Sequence, residues 1–363
     1  MHTDARTLED GNVIEADLCI VGAGAAGISM AMEFIGTPFE VVLLEAGGFQ
    51  MDLDTQRLYA GKSIGEPYQV PLDVARLHFF GGTTGHWAGW CTTLDPIDFR
   101  KRDWVPHSGW PIERADLEPS YRRAHRYPEL GDYAYDVADY ETAGQAGQGG
   151  LDGQNGQDGQ DGDLALRRLP LDEARFWTKM WKISPPTRFG DRYRDDIVGA
   201  ENVHLFTNAV ATELLANEPV TAVDALRVQT LTGLEHRVRA RHYVLACNAI
   251  QNARLLLASN RQAPNGLGND NDLVGRYFMD HFEMDGAQLV LADEDAARMY
   301  LITDPAHAEL APSEALQEEH ELLNGTTSLR PARANETELE GPFQRFSDSS
   351  ANLFRGDVDG ADQ

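Results

Sequence analysis

Lysine is nearly missing from this chain. Among its 363 residues there are four, Lys62, Lys101, Lys179 and Lys182, against 58 acidic residues, and the formal net charge is −27. A field of that sign repels nucleic acid and anionic membranes, so neither is an expected partner. Cysteine is scarce as well. Cys19, Cys91 and Cys247 stand far apart and no CxxC pair occurs, which excludes a zinc ribbon and a dithiol redox centre. Cys19 and Cys247 sit in apolar runs and read as buried, inert thiols. No run approaches the ~18 uninterrupted apolar residues of a membrane span, so none is expected. The first sixteen residues are acidic, without the basic start and apolar stretch of an export signal and without a twin-arginine pair. The expected setting is therefore the cytoplasm.

What is present is more specific. The length allows one large core or two modest ones, and the 42% hydrophobic content is ordinary for a globular protein. Gly22-Ala23-Gly24-Ala25-Ala26-Gly27 lies between the apolar run Leu18-Cys19-Ile20-Val21 and a helix-like stretch. In such a turn Gly22 permits the tight strand-to-helix reversal, Gly24 lets the backbone approach a pyrophosphate, and Gly27 lets helix and strand pack closely. The helix start then offers unpaired N–H groups and a partial positive charge to phosphates. The run Val41-Val42-Leu43-Leu44 ends in Glu45, placed where a carboxylate accepts hydrogen bonds from an adenosine ribose and repels a 2′-phosphate. Strand, turn, helix and acid in register predict a dinucleotide site, and NADP is not expected in it.

The chain reads as α/β. Residues 17–21 and 41–45 are expected parallel strands flanking a helix over 24–35, the opening of a doubly wound sheet. Residues 61–98 are rich in Gly, Thr, Trp and Pro and read as loop, and 116–127 as helix. Glycine recurs at every third position from Gly144 to Gly162, with Gln and Asp between. No proline is present to support a collagen-like helix, and an EF-hand's ligand order is missing, so 144–163 reads as a flexible, solvated insertion and no metal site is expected. Short strands follow at 203–206, 210–215, 225–229 and 237–239, some forming a β-meander. A buried strand is expected at 242–247 and a helix at 252–259. Beyond Asp285 the pattern turns acidic and weakly periodic.

A second block, Phe79-Phe80-Gly81-Gly82-Thr83-Thr84-Gly85-His86-Trp87-Ala88-Gly89-Trp90, combines paired glycines, hydroxyls and flat apolar faces. That set suits a flat, hydrogen-bonding heteroaromatic ligand, and equally a structural loop with buried tryptophans. Taken in order, GAGAAG with LLEAGG, FGGTTGHWAGW, WPIERADLEPSYRRA, NAVATEL, YVLACNAIQNARLLLAS and NGLGNDNDLVGRYFMDH resemble the glucose–methanol–choline family of FAD-dependent oxidoreductases. The resemblance spans most of residues 12–290. It is nearest to the branch of pyranose oxidase and the large subunits of fructose and gluconate dehydrogenases.

The resemblance implies a Rossmann-like FAD-binding domain over 12–285, with parallel sheet and β-meander, and the start of an α+β substrate domain over 286–363. It implies FAD held by Gly22, Gly24, Ala26, Gly27 and Glu45 at the ADP half. Gly82, Thr83, His86, Trp87 and Ala88 would lie along the isoalloxazine and pyrophosphate, Val210 on the adenine side, and Ala246 and Asn248 beside the cofactor. His86 occupies the place at which that branch can bond the flavin 8α-methyl covalently, and a neutral imidazole is the form able to do so. The implied activity is oxidation of a CH–OH group of a sugar, polyol or related alcohol by hydride transfer to flavin N5, with a quinone, dye or cytochrome as electron acceptor.

The family's catalytic His/Asn pair belongs to a C-terminal block with no counterpart here. His281, in FMDH, reads as structural, and His307 and His320, in acidic surroundings, as solvated surface residues. No catalytic base is assigned. The chain is therefore expected to be the cofactor-binding portion of such an enzyme, either truncated or one piece of a split enzyme whose second chain supplies the catalytic block. The alternative is a non-catalytic flavin-binding or scaffold subunit. An NAD-dependent dehydrogenase would leave GGTTGHW unexplained. Such a portion leaves strand edges uncovered and is expected to associate or dissolve poorly. One outcome follows from charge alone: the melting temperature should rise between dilute buffer and molar salt as screening removes repulsion, and thermal melts across that range check it.

Overall fold

The structure, a computed structural model, describes residues 1–64, 70–143, 166–280, 284, 289–291, 297–301 and 305–330. The insertion expected over 144–163, and His281, lie outside the described residues. Two compact units form. Among described residues the first takes Met1–Trp87 and Arg188–Met284, and the second takes Ala88–Thr187 with the stretch from Asp285. Residues 88–187 belong to the second unit. The reason is strand pairing: within that segment β4 (Trp90–Cys91) and β5 (Phe176–Ile183) form a sheet with β10 (Ala306–Pro312).

The other strands are β1 (His2–Asp4), β2 (Val13–Val21), β3 (Val41–Leu44), β6 (Val203–Thr207), β7 (Val210–Ala216), β8 (Val223–Gln229) and β9 (Glu235–Leu245). The longer helices are α1 (Ala25–Phe34), α2 (Arg114–Ala124), α3 (Val137–Ala143), α4 (Phe189–Gly199), α5 (Ala249–Ala258) and α6 (Glu314–His320). In the first unit the described strands form one seven-stranded sheet in the order β1-β6-β3-β2-β9-β8-β7. Pairing is parallel from β1 through β9, and antiparallel between β9 and β8 and between β8 and β7. The fold is mixed α/β with a parallel-dominated sheet.

Each element follows from its residues. All four residues of β3, Val41 to Leu44, are buried, as a strand covered on both faces requires. Helix α1 buries Gly27, Ile28 and Ala31, one stripe at helical spacing. Its end is tied to β6 by Asn202, whose amide donates to the carbonyls of Phe34 and Phe39 and whose oxygen accepts the Gly36 N–H.

The largest departure from expectation is β9. The sequence suggests two short strands at 237–239 and 242–247, yet one eleven-residue strand, Glu235–Leu245, joins the first to most of the second. Val238 and His236 point into the core while Arg237, Arg239 and Arg241 face out. Arg239 and Arg241 meet Glu15 and Asp17 on β2 at 3.7 and 3.6 Å. Arginine at every second position reads as a polar break when it is the outer face of a strand. β9 thereby joins the parallel sheet to the meander, and their shared core holds Val21, Leu44, Phe206, Leu226 and Val238.

The second unit packs Met180, Met299, Tyr300, Ala306 and Ala308 into a separate core. His307, expected at the surface, is 3% exposed on β10, because the Trp90 ring covers it at 4.8 Å. His320, at the end of α6, is half-exposed as expected. Among the described residues no helix is long and apolar enough to cross a membrane, and no cluster of His, Cys, Asp or Glu could hold a metal ion. Truncating Leu226, fully buried where β8 meets β9, should cost about 3 kcal/mol of stability, read from urea unfolding of Leu226→Ala.

Candidate nucleotide site

The carboxyl ends of β2, β3 and β9 converge where strand order departs in two directions from β2, the place at which open α/β sheets take ligands. Gly22 ends β2 with φ +103°, and a Cβ there would lie 2.7 Å from the Ala246 carbonyl oxygen at the end of β9. A Cβ on Gly27 would lie 1.8 Å from the Gly22 carbonyl oxygen. Protein atoms alone demand glycine at both positions.

Gly24 differs. It is the N-cap of α1, with an ordinary φ of −85° and no side-chain cap, and a Cβ there would meet nothing within 4 Å. Open space in front of a helix start, with the first-turn amides of Ala25 and Ala26 beside it, is what an anionic group fills. Gly82, at φ +55°, brings its backbone against Gly24: a Cβ on Gly82 would lie 3.1 Å from the Gly24 Cα. The Gly81 N–H donates to the Ala23 carbonyl at 2.8 Å. The two glycine motifs, about sixty residues apart in sequence, are thus one wall.

Glu45 is 6% exposed. Its carboxylate accepts the Ala23 N–H at one oxygen and the Gly47 N–H at the other, both at 3.0 Å. Burial pushes its pKa up, and the amides of Gly47, Ala23 and Ala46 pull against that. The acid read as a ribose acceptor therefore also clamps the turn after β2 to the end of β3. Each carboxylate oxygen keeps acceptor capacity for a further donor. The Glu45 carbonyl accepts from the Ala209 N–H at 2.9 Å, which sets Val210 beside this corner.

His86 and Trp87 follow the short turn Gly82–Gly85. Thr83 Oγ1 accepts the Leu77 N–H at 3.4 Å. Thr84 Oγ1 donates to the Gly81 carbonyl and accepts the Phe189 N–H at the start of α4. Arg188 binds the same turn from the other side, one guanidinium nitrogen donating to the carbonyls of Thr84 and Trp87 at 2.9 Å. Burial lowers the His86 pKa; a backbone hydrogen bond at Ala75 opposes this, and the charges of Arg188 and Arg76 reinforce it. The imidazole is held neutral. Ala88 begins the second unit.

Asn248 caps α5 from a positive φ of 69°, its side-chain oxygen accepting the N–H groups of Ile250 and Gln251. Its amide donates to the Tyr59 hydroxyl at 3.1 Å. Tyr59 lies on the His78 ring with centroids 3.6 Å apart, and burial lowers the His78 pKa to about 4. Gln56 fixes this pair, accepting the His78 N–H and donating to the carbonyls of Asp73 and Arg76. Tyr59, His78, Gln56 and Arg188 escape a reading from sequence, since no motif marks them and only the tertiary fold brings them to the site. The Asn248-to-Tyr59 bond is their first structural signal. Cys247, whose thiol donates to the Asn252 side-chain oxygen at 2.9 Å, has its pKa raised to about 11 by burial and is inert.

No family model matches the chain. It is 24% identical over 304 residues to a 2-methyl-1,2-propanediol dehydrogenase of Mycolicibacterium austroafricanum, covering 74% of this chain and 55% of that protein. It is 29% identical over 297 residues to the 6‴-hydroxyparomomycin C oxidase of Streptomyces lividus, with 72% and 53% covered. Over 74 residues it is 39% identical to the fructose dehydrogenase large subunit of Gluconobacter japonicus, 19% of this chain and 14% of that one. Among solved structures, pyridoxine 4-oxidase from Mesorbium loti aligns at a TM-score of 0.39 and 19% identity, over 67% of this chain and 52% of that chain. The chain spans about half the length of the curated relatives it matches.

The three turn glycines should separate in a test with ADP as probe. Gly27→Ala places a carbon inside a carbonyl contact and should unfold the first unit. Gly24→Ala should change stability by under about 1 kcal/mol and weaken ADP at least about tenfold. Thermal melts and calorimetric titration of the two variants check this.

Proposed function

We propose that the chain is the cofactor-binding portion of a glucose–methanol–choline-type, FAD-dependent oxidoreductase acting on CH–OH groups of a sugar, polyol or related alcohol. The observation that carries this reading is the cradle at Gly24: a helix start open in front, walled by Gly82, with no protein atom near enough to require glycine there. The residues fit the group. The amides at the start of α1 would hold its diphosphate, Glu45 keeps acceptor capacity for a ribose hydroxyl, and Val210, Ala246 and Asn248 would contact the rest of the group. FAD held there would supply a hydride acceptor for oxidation of the CH–OH carbon, the hydroxyl proton going to a base.

The relatives' names give the substrate class its support, since they include a diol dehydrogenase and an aminoglycoside oxidase. The part played by this chain is to bind and orient. Arg188 and Thr84 fix the turn that carries His86, and burial with two nearby guanidinium charges keeps its imidazole neutral. That is the state in which His86 can be the attachment point for the flavin 8α-methyl, which we propose as its role. The second unit, from Ala88, is proposed as the substrate-domain part. No base is assigned among the described residues. We propose that the catalytic block comes from polypeptide equivalent to the other half of the relatives' length, and the name of the fructose dehydrogenase large subunit supports a multi-chain setting. The second reading, a flavin-holding subunit without turnover, shares the cradle and parts from the first only in activity once that block is supplied.

Reconstitution with FAD tests the reading. Purified protein should acquire a flavin band near ~450 nm, and acid precipitation should leave the colour in the pellet, moving to the supernatant in His86→Ala. No band with excess FAD would remove the flavin reading; a band whose colour stays in solution would remove only the covalent link.

A further inference from the structure

Of the four lysines, Lys62 and Lys101 are exposed, whereas Lys179 and Lys182 on β5 are 7% and 6% exposed. The two buried ones stand three residues apart and differ in their partners. Lys179 meets Asp95 at 2.7 Å. Among the described residues Lys182 has no carboxylate within ion-pair distance and no hydrogen-bond acceptor, and its nitrogen lies 5.9 Å from the centre of the Tyr140 ring of α3.

Register accounts for the burial. Cys91, Lys182 and Ala306 form the one rung that β4, β5 and β10 share. Side chains alternate along a strand and opposed residues share a face, so Lys182 stands on the same side as Met180, Ala306 and Ala308. Those three belong to the core of the second unit. The aliphatic stem of Lys182 therefore lies along that core, with its nitrogen at the rim, where the charge of the exposed Asp132 reaches it.

Nothing on this rim holds a counter-charge against the nitrogen. Burial raises the pKa of Cys91, directly opposite, to about 11 and that of Tyr140 to about 12, so thiol and phenol both keep their protons. Burial pushes Tyr135 up as well. His125 Nδ1 lies 3.2 Å from the Gly131 carbonyl, which can only accept, so Nε2 takes the Tyr135 hydroxyl at 2.9 Å. Burial lowers the His125 pKa, and the Lys182 charge adds to that. At Lys182 burial lowers the pKa, with Asp132 alone opposing. An unpaired ammonium against an apolar core is costly, and the free amine escapes that cost.

We propose that Lys182 is a carbonyl-capturing amine that forms an imine with small, uncharged aldehydes. The Nζ lone pair attacks the carbonyl carbon and closes a C–N bond. Both amine hydrogens pass to the carbonyl oxygen, which leaves as water, so the step needs neither oxidant nor reductant. A buried lysine held as the free amine is the form suited to this chemistry. The net charge of −27 disfavours anionic carbonyl compounds, and the apolar stem region with the Tyr140 ring suits a short aliphatic one. Oxidation of CH–OH groups, as proposed above, would generate carbonyl compounds, but the reactivity of this amine does not depend on that reading.

Reductive alkylation of the full chain with propanal and cyanoborohydride, mapped by peptide mass spectrometry, tests this. Near pH ~7 Lys182 should be propylated at least about fivefold faster than Lys62 and Lys101, with Lys179 unlabelled. That lead should shrink towards pH ~10, as the exposed lysines lose their protons. Asp132→Asn, a surface change, should raise labelling of Lys182 near pH ~7 and leave the other lysines as they were. Lys182→Met, apolar and similar in volume, should keep the melting temperature and lose that adduct alone. Labelling of Lys182 no faster than that of Lys62 and Lys101 overturns the proposal, as does a lead that stays the same between the two pH values. If Lys182→Met fails to fold, the rate ratios in the unmodified protein and in Asp132→Asn still decide. The adduct forms whether or not FAD binds, so its absence would leave the cofactor reading standing, and a missing flavin band would leave the amine standing.

Discussion

Two backbone approaches closer than any side chain would allow hold the carboxyl end of the parallel sheet together. The Gly22 carbonyl stands where a Cβ on Gly27 would be, and the Ala246 carbonyl where a Cβ on Gly22 would be. These contacts draw the start of α1 against β2 and bring β9 level with it, so that three strand ends finish in one plane. Glu45 locks the arrangement by accepting an amide from each of two turns. A buried carboxylate is costly unless its oxygens are met by donors, and here the donors are the backbone of the site itself. Site and scaffold are therefore one structure, and the residues that would touch a nucleotide are also those that close the sheet.

This double use explains which parts of the molecule could be read from sequence. The GAGAAG turn, β3 with Glu45 and the FGGTTGHW block are local patterns. Glycine spacing and a four-residue apolar run carry their meaning without the rest of the fold, whereas the approach of Gly82 to Gly24 appears only in the structure. Tyr59, His78 and Gln56 carry no such pattern. Their placement depends on the Tyr59 hydroxyl reaching Asn248 across 189 positions of chain, and nothing in the surrounding residues announces it.

Charge misleads in the same way. Lysine suggests solvent, yet Lys179 and Lys182 are both buried on β5, where Asp95 neutralises the first and the Tyr140 ring lies 5.9 Å from the second. With its two lysines, FWTKMWKI gives no hint of a strand in which both lysines are buried. β10, alanine-rich and bearing His307 and Glu309, resembles a solvated segment until Trp90 is seen covering the histidine. The β9 arginines repeat the theme, their outward alternation being legible only once β2 supplies the acids opposite. In each case the missing information is the identity of the partner strand, which lies far away in sequence.

The same distribution bears on how a chain of net charge −27 could attract a diphosphate. Nearly all its cationic residues are arginine, and two are spent on backbone carbonyls around the second glycine block. Arg188 holds Thr84 and Trp87, and Arg76 donates to the Ala75 carbonyl. A guanidinium is suited to this because it binds carbonyls in fixed directions while keeping its full charge. Both charges are felt at His86, where they add to burial in keeping the imidazole neutral. Under the proposed reading, these guanidinium charges and the amides at the start of α1 would offset the Glu45 carboxylate and favour an anion between the two glycine motifs, with groups already fixed by the fold.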